Sequence, residues 1–449
     1  MLRSLAAGSG LLLPGILQLL LSEEARGDAI NPLAPKAPHF PGKAKRVIFM
    51  YMSGGVSHLD TFDYKPRLFE DAGKPSSNKP AAHPYLRPLA DFKPGGKCGT
   101  LVSDLFPSVR DCMDDICLIN SMHGDHNDHF QATLGIHTGS VTFALPSFGS
   151  WVTYGLGTLN QNLPCFVVLA PYLPYAGTQL WSSNFLPGCY QGTRIVAGPE
   201  PIPDLARTSP SLQIEQMELG LLDRFNRRHQ QYHSGNPALA ARIKSFETAF
   251  GMQQQMPEAL DLSKETDATL ALYGLERGST KGFAWQCLMA RRLVERGVRF
   301  VELIDTGSSD NWDSHGDMHD HIPLARNVDR PIAGLLRDLK ARGLLDDTLI
   351  VWTTEFGRTP VTDSPKGRSH HNICYSSWLA GAGVRGGTVY GKSDDHGEKV
   401  AENGAHVHDF HATILHLLGF NHEKLTFRHA GRDFRLTDVS GTVVRDILA

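Results

Sequence analysis

The sequence predicts an α/β protein, a doubly wound sheet with helices on both faces and loop insertions at the carboxyl ends of its strands. Three observations predict it. Apolar runs of strand length alternate with segments of helical period over most of the 449 residues. Several of those runs end directly in His, Asp or Glu. The chain is 41% hydrophobic and 20% charged, which supplies a core larger than one minimal domain needs.

Residues 1–29 carry one early Arg, an apolar stretch from Leu11 to Leu21 interrupted by Pro14, and small residues near Ala25 to Ala29. They read as a secretory signal peptide, which implies an exported or periplasmic protein, or as the apolar leader of a cytosolic chain, and they are too short and broken for a membrane span. Residues 30–44, rich in Pro and Lys, read as a linker, and residues 45–449 as the α/β domain. A strand at 46–52 opens the domain and runs into the flexible GGVS turn. Residues 71–100 are loop, and LFPSVRDCMDDICLINSM reads as a short helix followed by a buried strand at 116–120. The loop GDHNDH opens a helix that closes at HTG, with Asp128 as its cap. A helix at 147–156 and a strand at 165–170 follow.

Residues 171–210 are Pro, Gly and aromatic loop, read as a substrate-facing insertion, and residues 211–295 form a helical insertion with apolar recurrence at three and four. Strands are expected at 298–304, 348–354, 374–380 and 389–390. Helices are expected at 324–343, where Gly343 suits a C-cap, and at 408–418 before Gly419.

A formal charge of -3 leaves no electrostatic footprint for nucleic acid. No segment beyond the leader reaches 18 continuous apolar residues, so no integral membrane domain is expected. The seven Cys form no C-x-x-C pair; Cys98 and Cys112 read either as a bridge in an oxidising compartment or as free thiols. G-x-G-x-x-G after the first strand, a P-loop, G-x-S-x-G and H-E-x-x-H are all missing, which lowers dehydrogenase, kinase, serine hydrolase and zincin readings.

The strand ends supply the candidate site. His58 and Asp60 follow the Gly-Gly turn, Asp313 and His315 sit in NWDSH, Glu355 ends LIVWTTE, and His370 stands in GRSHH. Imidazole and carboxylate groups in that placement are the ligand set of a divalent metal, zinc or manganese among the candidates. A carboxylate straight after an apolar strand, as at Glu355, needs a partner or a metal. Arg358 and Arg368 read either as such partners or as bidentate binders of an anionic substrate. The chemistry that survives is a metal centre activating water and stabilising charge on a tetrahedral or phosphoryl-like transition state.

KRVIFMYMSGGVSHLDTFDYKP, NWDSHG, IVWTTEFGRTP, GRSHHN and the ending that begins HVHDFHATILHLLGFNHEKL together resemble the sulfatase-like bacterial family 1501 of unknown function. That family lies in the alkaline phosphatase/sulfatase superfamily, and the resemblance runs from about residue 40 to the C-terminus. It implies an alkaline phosphatase/sulfatase-like doubly wound sheet with metal at the strand ends. Asp60 would then be the early carboxylate ligand, Asp313 and His315 the middle pair, Glu355 a replacement for the usual Asp, and His370 the late ligand. Sulfatases carry a Cys/Ser-x-Pro-x-Arg nucleophile motif, and here the comparable stretch is HFQATLGIHTG, with His129 in the nucleophile's place. A formylglycine mechanism is therefore not expected; His129 is left as ligand, general base or nucleophile. The resulting expectation is a metal-dependent hydrolase of phosphate or sulfate esters of small molecules or polysaccharide. The alternative is a non-catalytic binding or envelope protein on a degenerate hydrolase fold.

Overall fold

A nine-stranded sheet organises the chain in the computed structural model, which describes residues 31–76, 83–198, 200–203, 205, 209, 211–233 and 236–449. The leader expected at 1–29 lies outside the described residues. In chain order the strands are β1 (Arg46–Tyr51), β2 (Phe92–Gly95), β3 (Thr100–Ser103), β4 (Ile116–His123), β5 (Phe166–Leu169) and β6 (Thr193–Ile195). They continue with β7 (Phe300–Ile304), β8 (Thr348–Thr353), β9 (Gly357–Thr362), β10 (Arg368–His371), β11 (Tyr375–Ala380) and β12 (Thr388–Tyr390). The last are β13 (Lys392–Ser393), β14 (Val400–Glu402), β15 (Ala405–His406), β16 (Phe427–His429) and β17 (Arg432–Phe434).

The main sheet runs β12-β4-β11-β8-β1-β7-β5-β6, with β15 also paired to β4. All its pairings are parallel except those of β11, which is antiparallel to both β4 and β8. β1 therefore sits between β7 and β8, which come late in the chain, and the crevice beyond its carboxyl end is where an open α/β sheet places a site. The remaining strands form hairpins, and one of them, β9 with β10, returns directly over that end.

The apolar runs are strands because they are buried on both faces. In β1, Ile48 and Met50 enter one core while Val47, Phe49 and Tyr51 enter the other. β8 divides in the same way, with Ile350 and Trp352 against Leu349 and Val351. The period-two alternation of side chains makes each central strand the seam between two cores. Seven longer helices are α1 (His129–Thr138), α2 (Phe148–Leu156), α3 (Leu212–Tyr232), α4 (Pro237–Leu260), α5 (Phe283–Glu295), α6 (His321–Ala341) and α7 (Val407–Leu417). Residues of α5 and α6 fill the first core, and residues of α1, α2 and α7 the second, so helices cover both faces. This is a doubly wound α/β architecture.

Helix ends follow local chemistry. Asp128 accepts from the Phe130 N–H at 3.0 Å and caps α1. Gly343 and Gly419, with φ of 67° and 87°, lie just past α6 and α7. Residues 31–45 lie along the domain, with Lys36 N–H donating to Leu156 at 2.9 Å and Lys43 N–H to Leu417 at 2.8 Å. All seven cysteines are free thiols. No described helix is long and apolar enough to cross a membrane.

Candidate metal centre

Three parallel strands deliver the frame. β1 runs on into Ser53-Gly54-Gly55, β7 leads into the loop that holds Asp313, and β8 runs on into Glu355. Gly54 and Gly55 take φ of 111° and 78°, and a Cβ on Gly54 would lie 2.7 Å from Asn311 Oδ1 and from Trp312 N. Only glycine lets the backbone N–H of residue 54 reach Glu355 Oε1, at 2.8 Å. The β7 loop is anchored by Asp305, which accepts from Trp312 Nε1 (2.6 Å), Ser53 N–H (3.2 Å) and Thr306 N–H (2.7 Å). Burial still pushes the Asp305 carboxyl up to about 6 against those donors.

Asp313 is the centre of the constellation. Its Oδ2 lies 3.2 Å from His129 Nε2, and its Oδ1 lies 3.3 Å from His370 Nε2 and 3.0 Å from His315 Nε2. His129, Asp313 and His370 form a group whose ligand atoms lie within 4.8 Å of one another, a spacing suited to holding a metal ion. His315 adjoins it, its Nε2 2.8 Å from His370 Nε2. The β9–β10 register sets His370 opposite Arg358, so both reach Asp313 from one hairpin.

Each imidazole is held from behind by its Nδ1. His129 Nδ1 lies 2.7 Å from Glu355 Oε1, His370 Nδ1 2.6 Å from the Asn127 carbonyl, and His315 Nδ1 2.6 Å from Asp363 Oδ2. These acceptors can take only an N–H, so each ring carries a proton on Nδ1 and presents its Nε2 to Asp313. His129 Nε2 is buried, 3.2 Å from Asp313 Oδ2. Tyr175 stacks on the His129 ring at 4.2 Å and 7°, and Phe356 lies 4.8 Å away on a tilt.

Electrostatics follow from this crowding. Burial lowers the His129 pKa, but hydrogen bonds to Asp313 and Glu355 outweigh it and raise the value to about 9. Burial likewise opposes the charge on Asp313, yet His129, His370 and the Arg358 guanidinium hold its carboxyl well below the usual range. The Glu355 carboxyl is also lowered, its desolvation overcome by His129.

The structure thus brings together His129, Asp313, His315, Glu355, His370 and Arg358. Arg358 is fully buried and donates to Asp313 Oδ1 (2.6 Å) and to the carbonyls of Gly54, Gly55 and Arg368. Its partner is Asp313 rather than Glu355. His58, Asp60 and Arg368 are not brought into the cluster. Asp60 accepts from Arg368 Nε at 2.9 Å, from the Leu89 N–H at 2.8 Å and from Ser57 Oγ. Arg368 spends its other donors on the carbonyls of Thr359, Pro360 and Leu86. His58 Nε2 meets the Gly397 carbonyl at 3.1 Å, and burial drives its pKa well down. His321 accepts from the Ser57 N–H at 3.2 Å, and burial lowers it to about 3. Tyr175, Asp363 and the Asn127 carbonyl escaped the sequence reading. Asp363 alone had a sequence signal, as a carboxylate in the turn between GRTP and GRSHH.

A family model described as "Protein of unknown function (DUF1501)" matches residues 44–448. The chain belongs to the DUF1501 family. No curated protein matches this DUF1501 member. Among solved structures it is similar to the lipoteichoic acid synthase LtaP from Listeria monocytogenes, at 9% identity and TM-score 0.38, over 92% of this chain and 80% of that one. It is also similar to alkaline phosphatase from the Antarctic bacterium TAB5, at 9% identity and TM-score 0.32, over 76% and 92%. A third is the phosphonate monoester hydrolase SpPMH from Silicibacter pomeroyi, at 10% identity and TM-score 0.33, over 90% and 76%. Likeness at this level leaves the DUF1501 architecture to be read from its own sheet.

Proposed function

We propose that this DUF1501 protein is a metal-dependent hydrolase of phosphate or sulfate esters that uses no formylglycine. One observation carries the reading: three imidazoles locked at Nδ1 aim their Nε2 atoms at one carboxylate. The Nε2 atoms of His315 and His370, 2.8 Å apart, need a proton or a cation between them. His129, Asp313 and His370 would hold the ion, with His315 beside them, and an imidazole-rich set favours zinc over manganese. Bound there, the ion would polarise an ester oxygen as a Lewis acid.

The chain's own groups have separable roles. Glu355 keeps the proton of His129 on Nδ1, Arg358 orients Asp313, and Tyr175 and Phe356 shield one side of the imidazole from water. Both nitrogens of His129 are engaged or aimed, which favours a ligand over a nucleophile. Thr354 Oγ1, a hydroxyl against Glu355, is already held by the Met52 carbonyl, Glu355 Oε2 and the Val56 N–H, so attack is assigned to water. Asp313 and His315 side chains are 25% and 40% exposed, and substrate, a small-molecule or polysaccharide ester, would approach from that side.

One observation favours the alternative, a non-catalytic binding or envelope protein. The guanidinium groups of Arg358 and Arg368 end on protein oxygens, so neither is free to clamp an ester anion. Elemental analysis of purified protein together with a screen of aryl phosphate and sulfate esters separates the readings. Stoichiometric metal with turnover lost on chelation is the expected result; metal without turnover on any ester favours the alternative, and absence of metal under replete conditions removes the hydrolase reading. Glu355→Gln keeps an acceptor for His129 but removes the charge behind it, and metal affinity is expected to fall about 10–100-fold in competition with a chromophoric chelator.

A further inference from the structure

Helix α3 is inside out. At 3.6 residues per turn, Ile214, Met217, Leu221, Phe225 and Tyr232 fall on one face with Leu222 at its margin. That face is the solvent face: Met217 is 67% exposed, Leu221 55%, Phe225 59% and Tyr232 73%. The opposite face turns inward, with Glu215 buried and Leu219, Asp223, Asn226 and Gln230 half-buried. Burial of apolar surface cannot have set this orientation within one chain, because it leaves the larger apolar area in water. A contiguous apolar face of this length is what subunit interfaces present.

The charges along α3 identify the occupant. Its acids, Glu215, Glu218 and Asp223, precede its bases, Arg224, Arg227 and Arg228. In an antiparallel pair of α3 helices centred at the level of Asp223, the acidic half of each lies along the basic half of the other. Glu218 then comes level with Arg228, Leu221 with Phe225, and Ile214 with Tyr232. A two-fold axis makes every such contact twice. Antiparallel alignment also opposes the two helix dipoles favourably. Asp223 already pairs with Arg227 in its own helix at 2.9 Å, whereas among the described residues Glu218 meets the Ser209 hydroxyl and Arg228 the face of Tyr232. Equal numbers of acids and bases give no cationic excess of the kind that seats a helix on anionic lipid.

We propose that this protein is a homodimer joined through antiparallel packing of α3 from two copies. The metal centre is built wholly within each chain, so the proposal stands apart from the hydrolase reading. The test is sedimentation equilibrium of the full chain across micromolar concentrations. The wild type is expected as a dimer, and Leu221→Glu with Phe225→Glu as a monomer of unchanged circular dichroism. Glu218→Arg and Arg228→Glu should each weaken the dimer about tenfold, and the two together should restore it. A monomeric wild type overturns the proposal, as does a dimer indifferent to the Leu221/Phe225 pair or a double charge swap no better than its parents. Binding of a monomeric wild type to phosphatidylcholine or phosphatidylglycerol vesicles would assign the face to membrane instead.

Discussion

Asp313→Ala is expected to empty the metal centre and to destabilise the fold together. The carboxylate is the common neighbour of three Nε2 atoms, and nothing else in the cluster supplies negative charge at that point. Among the described residues it is also the one acidic side chain paired with the buried Arg358 guanidinium, at 2.6 Å. Stranding a buried cation costs several kcal/mol, and partial exposure of Asp313 reduces this to roughly 2–3 kcal/mol. Asp313→Asn separates the two effects: an amide oxygen still accepts from Arg358, so stability should largely return while the metal does not. Elemental analysis and urea titration of the pair read the two losses independently. Stoichiometric metal retained in Asp313→Ala would remove Asp313 from the site.

Arg368→Leu is expected to cost more stability and no metal. Asp60 and Arg368 are both completely buried, and the guanidinium closes on three carbonyls besides the carboxylate. Removing it leaves Asp60 without its cation, held among the described residues by the Ser57 hydroxyl and the Leu89 N–H, a loss of about 3–5 kcal/mol. Asp60→Asn should likewise unfold at lower urea yet bind as much metal as the wild type when folded. Loss of metal from folded Asp60→Asn would return Asp60 to the ligand set.

Sequence reading reached the strands because β1, β8 and β11 are buried on both faces and so spell continuous apolar runs. It reached Glu355, Asp313 and His370 because each follows such a run or stands in a short ligand-rich segment. Asp60 has the same local signature, a carboxylate just past β1, but its partner lies 308 positions away and leaves no mark near it. The acceptor behind His370 is a backbone carbonyl, which every residue has and no sequence distinguishes. For α3, the three-and-four recurrence announces an apolar face without saying what covers it.

His370 leans on the carbonyl of Asn127, 243 positions earlier, and shares Asp313 with His129. A cation seated among them would therefore act as a reversible cross-link, tying the first third of the chain to the last. Closing so long a loop removes freedom mainly from the unfolded chain, as a disulfide does, in a protein whose cysteines are all unpaired. Metal supply would then govern resistance to proteolysis as well as chemistry, and the ion would serve as a clasp as much as a cofactor.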